Sequence, residues 1–301
     1  MKETFFSTEI ADGIFLISVT NKSNIAMEEL VKPQKATANS YLVVGEEKAL
    51  LFDLAINQEN LWDYACSLTD RPVQLVLSHG HVDHIFYLNK REEVWLHPDD
   101  MDMVKNGVPG VNEPTHPCPV LHSLNEGDVI ELGNRKLTVY HIPGHTPGNT
   151  CLYYEKKNLM FLGDHVLFDI TPNITAWFGV KDSLNNYINS LKKIREFKMD
   201  TALPAHRNTK GMNVYDRIDQ LLEHHKARLA DTEKVVKMIP NSTAYEIAAY
   251  MKWQMRGKNW EEFPISQRWF AVGETIAHLD YLEAKGIVKC DIDSEGVHRY
   301  T

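Results

Sequence analysis

The chain has 301 residues, a net charge of −9 and a 43% hydrophobic share. That is enough for one large α/β unit with a smaller appendage, and no apolar run approaches the ~18 residues of a membrane-spanning helix. The acidic balance disfavours non-specific binding to a phosphate backbone, which needs clustered lysine and arginine.

The opening segment MKETFFSTEIADGIF has charges where a secretory leader needs an apolar stretch, so the expected location is cytoplasmic. Residues 13–19 read as a strand. Residues 40–44 and 49–53 read as two more, joined by a turn at Gly45-Glu46-Glu47-Lys48. Residues 20–38 are polar and without period, a long insertion of the kind that carries function. Residues 57–69 read as a helix, and the run Val73-Gln74-Leu75-Val76-Leu77 as a buried strand. Residues 93–96 form another short strand, and His97-Pro98-Asp99-Asp100 opens a helix. Residues 128–141 give two strands about Gly133-Asn134, and residues 151–154 and 159–162 a further hairpin. A helix is expected over 182–197, then the strand-like stretch 201–205.

From about residue 213 the pattern turns helical, over 213–238, 243–255 and 265–285, and it closes on a hairpin over 286–300. This predicts a winged-helix-like unit, with the chain divided into 1–212 and 213–301 by a long connector helix. Over 241–301 nine acidic side chains outnumber seven basic ones. A unit that reads nucleic acid carries a basic footprint instead, so packing, pocket closing or homodimerisation is its expected role. Cys66, Cys118, Cys151 and Cys290 are far apart with no CxxC, and read as reduced and mostly packed.

Four separated segments carry seven side chains of metal-ligand type: His79, His81, Asp83 and His84 in HGHVDH, then His145, Asp164 and His206. Each follows a strand or sits in a loop beside one, and rigid strand ends hold ligands to the tolerance a metal needs. The i, i+2, i+4 spacing of His79, His81 and Asp83 points them to one side in extended backbone. A helix starting at Asp83 would turn His84 towards a neighbouring ion. Imidazole and carboxylate suit zinc, iron and manganese. Two such ions a few ångströms apart form a hydrolytic centre, and the shared anionic ligand would be Asp164.

This series resembles the metallo-β-lactamase superfamily, whose pattern is HxHxDH followed by a distant His, Asp and His. The resemblance spans roughly residues 10–210. It implies a four-layer αββα sandwich with His79, His81 and His145 on one metal and Asp83, His84 and His206 on a second. Asp164 would bridge the two, and Asp83 would also accept a proton in turnover. The helical tail is similar to the branch that includes a mitochondrial endoribonuclease and polyketide-releasing thioesterases. Two departures stand out. Ile85-Phe86-Tyr87-Leu88 replaces the common DHxGG glycines and places bulky residues at the start of the expected helix. His81 stands where di-iron oxidoreductases of this fold carry Glu, which favours the hydrolases.

Other residues keep two readings. Asp53 either supports a ligating histidine from behind or caps a helix at 57. His165 either lines the pocket or is packed. Trp177 and Phe178, in the apolar stretch 167–180, form either a lip over the site or a core or dimer contact. The expectation is a metal-dependent hydrolase with two divalent ions, zinc foremost, acting on a thioester, ester or lactone. The partner is a small molecule, with no membrane. The rivals are a phosphodiesterase or endoribonuclease, a mononuclear iron persulfide dioxygenase and a non-catalytic metal-binding module. Physiological β-lactam hydrolysis is disfavoured.

Overall fold

The computed structural model describes residues 5–19, 38–54, 61–108, 113–176, 182–209, 213–253 and 259–301. A seven-stranded sheet runs in chain order: β1 (Phe5–Ala11), β2 (Ile14–Val19), β3 (Ala38–Val44), β4 (Ala49–Phe52), β5 (Val73–Val76), β6 (Glu93–Leu96) and β7 (Val120–Ser123). The first four strands pair antiparallel and the pairs from β4 to β7 are parallel. A second sheet has the order β12-β11-β10-β9-β8, built from β8 (Val129–Glu131), β9 (Lys136–His141), β10 (Thr150–Tyr154), β11 (Leu159–Gly163) and β12 (Thr201–Pro204).

The central strands β4, β10 and β11 are buried along their whole length because both of their faces are covered. Successive side chains point to opposite faces. On β4, Leu50 and Phe52 enter the core between the sheets while Ala49 and Leu51 face outward. On β10, Leu152 and Tyr154 point inward while Cys151 and Tyr153 face outward. Helices α1 (Leu61–Ser67) and α2 (Pro98–Asn106) cover the first sheet through Leu61, Ala65 and Val104. Helix α3 (Ser183–Arg195) covers the second through Leu184, Tyr187 and Leu191. The result is the expected αββα sandwich. At its centre Phe161 meets Tyr41 and Phe52 edge-on, with ring centroids 5.4 and 5.8 Å away.

Helix α4 (Val214–Met238) begins on the side chain of Asn213, which accepts from the Tyr215 and Asp216 amides. It belongs to two packed clusters: Val214, Ile218 and Leu221 lie against the second sheet's helical layer, while Val235 and Val236 join the C-terminal cluster. Helix α5 (Ala244–Tyr250) starts with a reciprocal capping box between Thr243 and Glu246. Helix α6 (Ile265–Ala284) shares the double membership, with Ala277 on the side of the second sheet and Leu279 and Leu282 on the other. A short hairpin, β13 (Cys290–Ile292) and β14 (His298–Tyr300), ends the chain.

The structure corrects several expectations. β1 and β7 were not anticipated. The helix expected over 57–69 is Leu61–Ser67 among the described residues. No α-helix starts at Asp83. Successive turns run from residue 82, with His84 N–H on His81 O, and end in a short 3₁₀ turn at Leu88–Lys90. The tail helix expected over 243–255 stops at Tyr250 because Met251 is extended. Cys118 is exposed rather than packed, and no disulfide joins the four cysteines. Residues 20–37 and 177–181, including Trp177 and Phe178, lie outside the described residues. No helix among the described residues is long and apolar enough to cross a membrane.

Replacing Phe161 with alanine empties the meeting point of both sheets and is expected to cost about 3–5 kcal/mol. Urea unfolding is the check. A loss under about 1 kcal/mol would show that the sheets do not depend on this contact.

Candidate metal centre

Asp53 follows β4, Ser78 and His79 follow β5, Asp164 follows β11 and His206 follows β12. His145 lies in the loop from β9 to β10. These ends lie on one edge of the sandwich, where parallel strands finish together. His81, Asp83 and His84 come from the turns after β5 rather than from a helix.

All seven expected ligand residues converge. His81 Nδ1 lies 2.9 Å from both His79 Nε2 and His145 Nε2. A second group holds Asp83, His84 and His206: His206 Nε2 is 3.2 Å from Asp83 Oδ2, and His84 Nε2 is 3.8 Å from Asp83 Oδ1. Asp164 stands between the groups. Its Oδ2 is 3.5 Å from His145 Nε2, while its Oδ1 is 3.2 Å from His206 Nε2 and 3.5 Å from His84 Nε2. Within each triad the donor atoms lie within 4.8 Å of one another.

The hydrogen bonds behind the rings select their tautomers. Ser78 Oγ donates its proton to Asp53 Oδ2 at 2.7 Å, so it accepts from His79 Nδ1 at 2.8 Å. His84 Nδ1 donates to the same Asp53 oxygen at 2.9 Å. His145 Nδ1 donates to the Asn173 carbonyl at 2.8 Å. In their neutral forms all three rings therefore turn a bare Nε2 into the cluster. Among the described residues, His84 Nε2 and Asp164 Oδ1 are buried without a well-formed hydrogen bond. With His84 neutral, they are two acceptors facing each other at 3.5 Å, and a cation fits between them in place of a proton. With imidazole and carboxylate donors, the residues suit zinc, iron or manganese.

Charge reinforces the fit. Burial pulls His84 down, but Asp53, Asp83 and Asp164 together outweigh it and hold the ring up to about 10 in the absence of a cation. His206 is likewise raised, with burial opposed by Asp164 and Asp83. In the other triad burial dominates, assisted by neighbouring imidazoles, and His81 falls to about 3. Burial opposes ionisation of Asp83 and Asp164, yet the imidazoles around them keep both carboxyls below the usual range.

Asp53 stands behind His79 and His84, while the helix at 57 in its other reading lies outside the described residues. Asp53 is buried, sits at a left-handed φ of 65° and also accepts from the Ser78 amide at 2.6 Å. His165 is fully buried with its ring edge-on to Tyr187, so it is packed rather than pocket-lining. Sequence reasoning missed Asp100, which first appears only as a helix opener. Its buried carboxylate accepts from Gly80 N at 2.9 Å, Thr146 Oγ1 at 2.7 Å and Gly148 N at 2.7 Å, tying the HGHVDH segment to the His145 loop. Asn39 was missed too. Its amide donates to Ala205 O and its Nδ2 to Pro204 O and Arg207 O, bracketing His206. Neither residue type announces such a role. Gly144, just before His145, has φ 137°, and a Cβ there would lie 2.5 Å from Tyr187 Cα. A further grouping of His97, Asp99 and His141 is less apt for a metal. The two rings stack 3.8 Å apart at 12°, so one ion cannot lie in both ring planes.

A two-sheet sandwich with a histidine–aspartate cluster at one edge defines a class of metallohydrolase fold. The chain belongs to the Metallo-beta-lactamase superfamily, whose profile matches residues 35–206; a second profile, Metallo-beta-lactamase-like, C-terminal domain, matches residues 260–301. It is 30% identical to acyl-coenzyme A thioesterase MBLAC2 of Gallus gallus over 233 residues, 66% of this chain and 81% of that protein. It is 25% identical to the MBLAC2 of Homo sapiens over 279 residues, 80% of this chain and 94% of that protein. Among solved structures, a beta-lactamase domain protein from Burkholderia ambifaria superposes with a TM-score of 0.78 at 22% identity, covering 98% of this chain and 93% of that one. A metallo-beta-lactamase family protein from Thermus thermophilus gives 0.71 at 22%, covering 96% and 98%. At that identity the structures speak for the fold.

Two outcomes follow from the geometry. Asp100→Ala strands two backbone amides and a hydroxyl, each unmade bond costing about 1–3 kcal/mol. Its metal content should fall several-fold at micromolar free zinc, whereas unchanged content would remove Asp100 from the positioning role. A cation must also displace protons from His84 and His206. Zinc titration at pH 7 in buffers of different ionisation enthalpy should therefore show net proton release and an affinity that rises with pH. Uptake without proton release would contradict the raised imidazoles.

Proposed function

We propose that the protein is a dinuclear metal-dependent thioesterase that hydrolyses acyl-coenzyme A or a similar acyl thioester. The observation that carries it is the placement of Asp164, one carboxylate oxygen towards each triad. The relatives named acyl-coenzyme A thioesterase support the substrate class. His79, His81 and His145 would hold one ion, Asp83, His84 and His206 the other, and Asp164 both. Zinc is the metal first expected. When bound, two such ions acidify a water at neutral pH and stabilise the negative charge that develops on the carbonyl oxygen.

The chain's own residues supply the rest. Asp53 keeps the protons of His79 and His84 on the far side of the rings, by way of Ser78 for His79. The Asn173 carbonyl does the same for His145. Asp83 is the more open of the two cluster carboxylates, 29% exposed against 10% for Asp164, and this openness supports its reading as the one that would take up a proton from the cleft. The thiolate of an alkyl thiol is a good leaving group, so no separate acid is needed to expel it. In this proposal residues 1–212 form the catalytic unit. Residues 213–301 form the connector helix and a winged-helix-like unit packed on it. Charge disfavours nucleic acid as a partner, and the expected location is cytoplasmic.

Protein purified without added metal should contain about two zinc ions per chain. His81→Ala and Asp164→Ala should each lose metal and lower kcat/KM for acyl-CoA, followed by thiol release, at least a thousandfold. About one iron per chain with oxygen uptake would overturn the proposal in favour of an iron dioxygenase.

A further inference from the structure

The cluster is enclosed on most sides. His79, His84, His145 and Asp164 are buried, whereas the Asp83 and His206 side chains are 29% and 13% exposed. A substrate that reaches the cluster passes these two. Arg207 follows His206 directly and is exposed. It also holds φ at 59°. Among the described residues four of the others with a positive φ, glycine aside, are aspartate or asparagine, which tolerate it. Tyr87, the remaining one, opens the 3₁₀ turn after the HGHVDH segment. Arg207 lies in no helix or strand. A costly conformation persists where the surroundings impose it, and such positions gather at ligand clamps.

Both flanks of Arg207 are pinned. On β3, Asn39 Nδ2 donates to the Arg207 carbonyl at 3.1 Å, and Asn39 also takes the Ala205 and Pro204 carbonyls just before it. On the far side Asn208 donates its amide and Nδ2 to Asp169 at 3.2 and 3.0 Å, in the loop that follows Asp164. The Arg207 carbonyl is thus turned down onto the sandwich, while its guanidinium makes no hydrogen bond or ion pair among the described residues. Arg217 reaches the same loop but is spent on the Leu167 and Ile170 carbonyls. A fixed backbone carrying a free fork of donors suits a phosphate. With a net charge of −9, the chain needs such a local cation to hold a polyanionic substrate.

We infer that Arg207 anchors the phosphate at the end of the pantetheine arm of the thioester substrate. This rests on the thioesterase function proposed above. The arm has as many chain atoms as about four residues, so it spans roughly 14 Å from sulfur to phosphate. Arg207 Cα lies about 3.8 Å beyond that of His206, and an extended arginine side chain, equal to about two residues of chain, reaches roughly 7 Å further. A thioester carbon held at the cluster therefore leaves its phosphate within reach of the guanidinium. Coenzyme A and the phosphopantetheine of a carrier protein share this phosphate.

The test compares hexanoyl-CoA, hexanoyl-4′-phosphopantetheine and hexanoyl-pantetheine on the full chain with its metals. Arg207→Gln should raise KM for both phosphate-bearing substrates at least about fivefold. It should leave kcat within about twofold, as loss of uniform binding does, and leave KM for hexanoyl-pantetheine unmoved. Arg207→Lys keeps the charge without the fork and should recover part of the loss. Arg207→Gly should show the full KM loss together with a higher urea midpoint, because glycine adopts this φ freely. Lys226→Gln, an exposed cation on α4, is the control and should change nothing. Metal content and circular dichroism identify a variant that has lost its fold, in which case the Lys and Gly variants decide. Equal kcat/KM of the unaltered protein on the two phosphate-bearing substrates would mark a carrier-bound arm as the source, and a preference for hexanoyl-CoA the free coenzyme. A loss with hexanoyl-CoA but not with the phosphopantetheine thioester overturns the assignment to this phosphate. An unmoved KM, or an equal rise with hexanoyl-pantetheine, overturns the anchor and leaves the thioesterase standing. No turnover of any thioester by the unaltered protein overturns both.

Discussion

The site depends on one buried carboxylate. A histidine can offer a lone pair to a cation only if its other nitrogen holds the proton, and something must keep that proton in place. Asp53 does this for His84 directly and for His79 through Ser78, while fixing the backbone at Ser78. A polar group this deep is tolerated because its oxygens are satisfied, by the Ser78 amide and hydroxyl and by His84 Nδ1. The left-handed turn at Asp53 sends the chain away from β4 at the point where β5 delivers His79. The remaining supports, Asp100 and Asn39, act similarly at longer range, linking loops that are far apart in the chain.

The seven side chains that cluster were legible in the sequence because each stands beside a strand whose apolar pattern is strong, and because His and Asp in that order stand out from the rest of the chain. The sandwich was legible for the same reason: runs such as 49–52 and 159–162 need cover on both faces. What was not legible has physical causes. β1 mixes polar and apolar residues because it is an edge strand, and β7 is mostly open to solvent. The turns after His81 replace a helix partly because Tyr87 adopts φ 57°, a conformation that an aromatic residue gives no sign of accepting. The segment after Tyr250 keeps an apolar pattern, yet Met251 leaves the helix to bury its side chain beside Thr232 and Thr275. Asp100 and Asn39 depend on partners that sequence spacing cannot bring together.

The tail is bound into the molecule more closely than a helical appendage would suggest. α4 and α6 each belong both to the packing over the second sheet and to the C-terminal cluster. His225 and His278 meet where these helices cross, with His278 Nδ1 donating to the Glu274 carbonyl and its Nε2 accepting from His225 at 3.3 Å. Burial holds both rings well below their ordinary range, to about 3 for His278. The crossing therefore requires neutral imidazoles. Its contribution is complete above their unfolded value near 6.5 and declines as pH falls below it, because the unfolded chain then binds more protons.

Residues 173–176 touch the metal cluster at one end, through the Asn173 carbonyl, and α6 at the other, through Thr175 and Ala176. A single short stretch of backbone thus serves two surfaces. Four consecutive residues thus fix the imidazole of His145 at one end and the seat of a C-terminal helix at the other, so the position of that helix is read directly into the orientation of a cluster side chain.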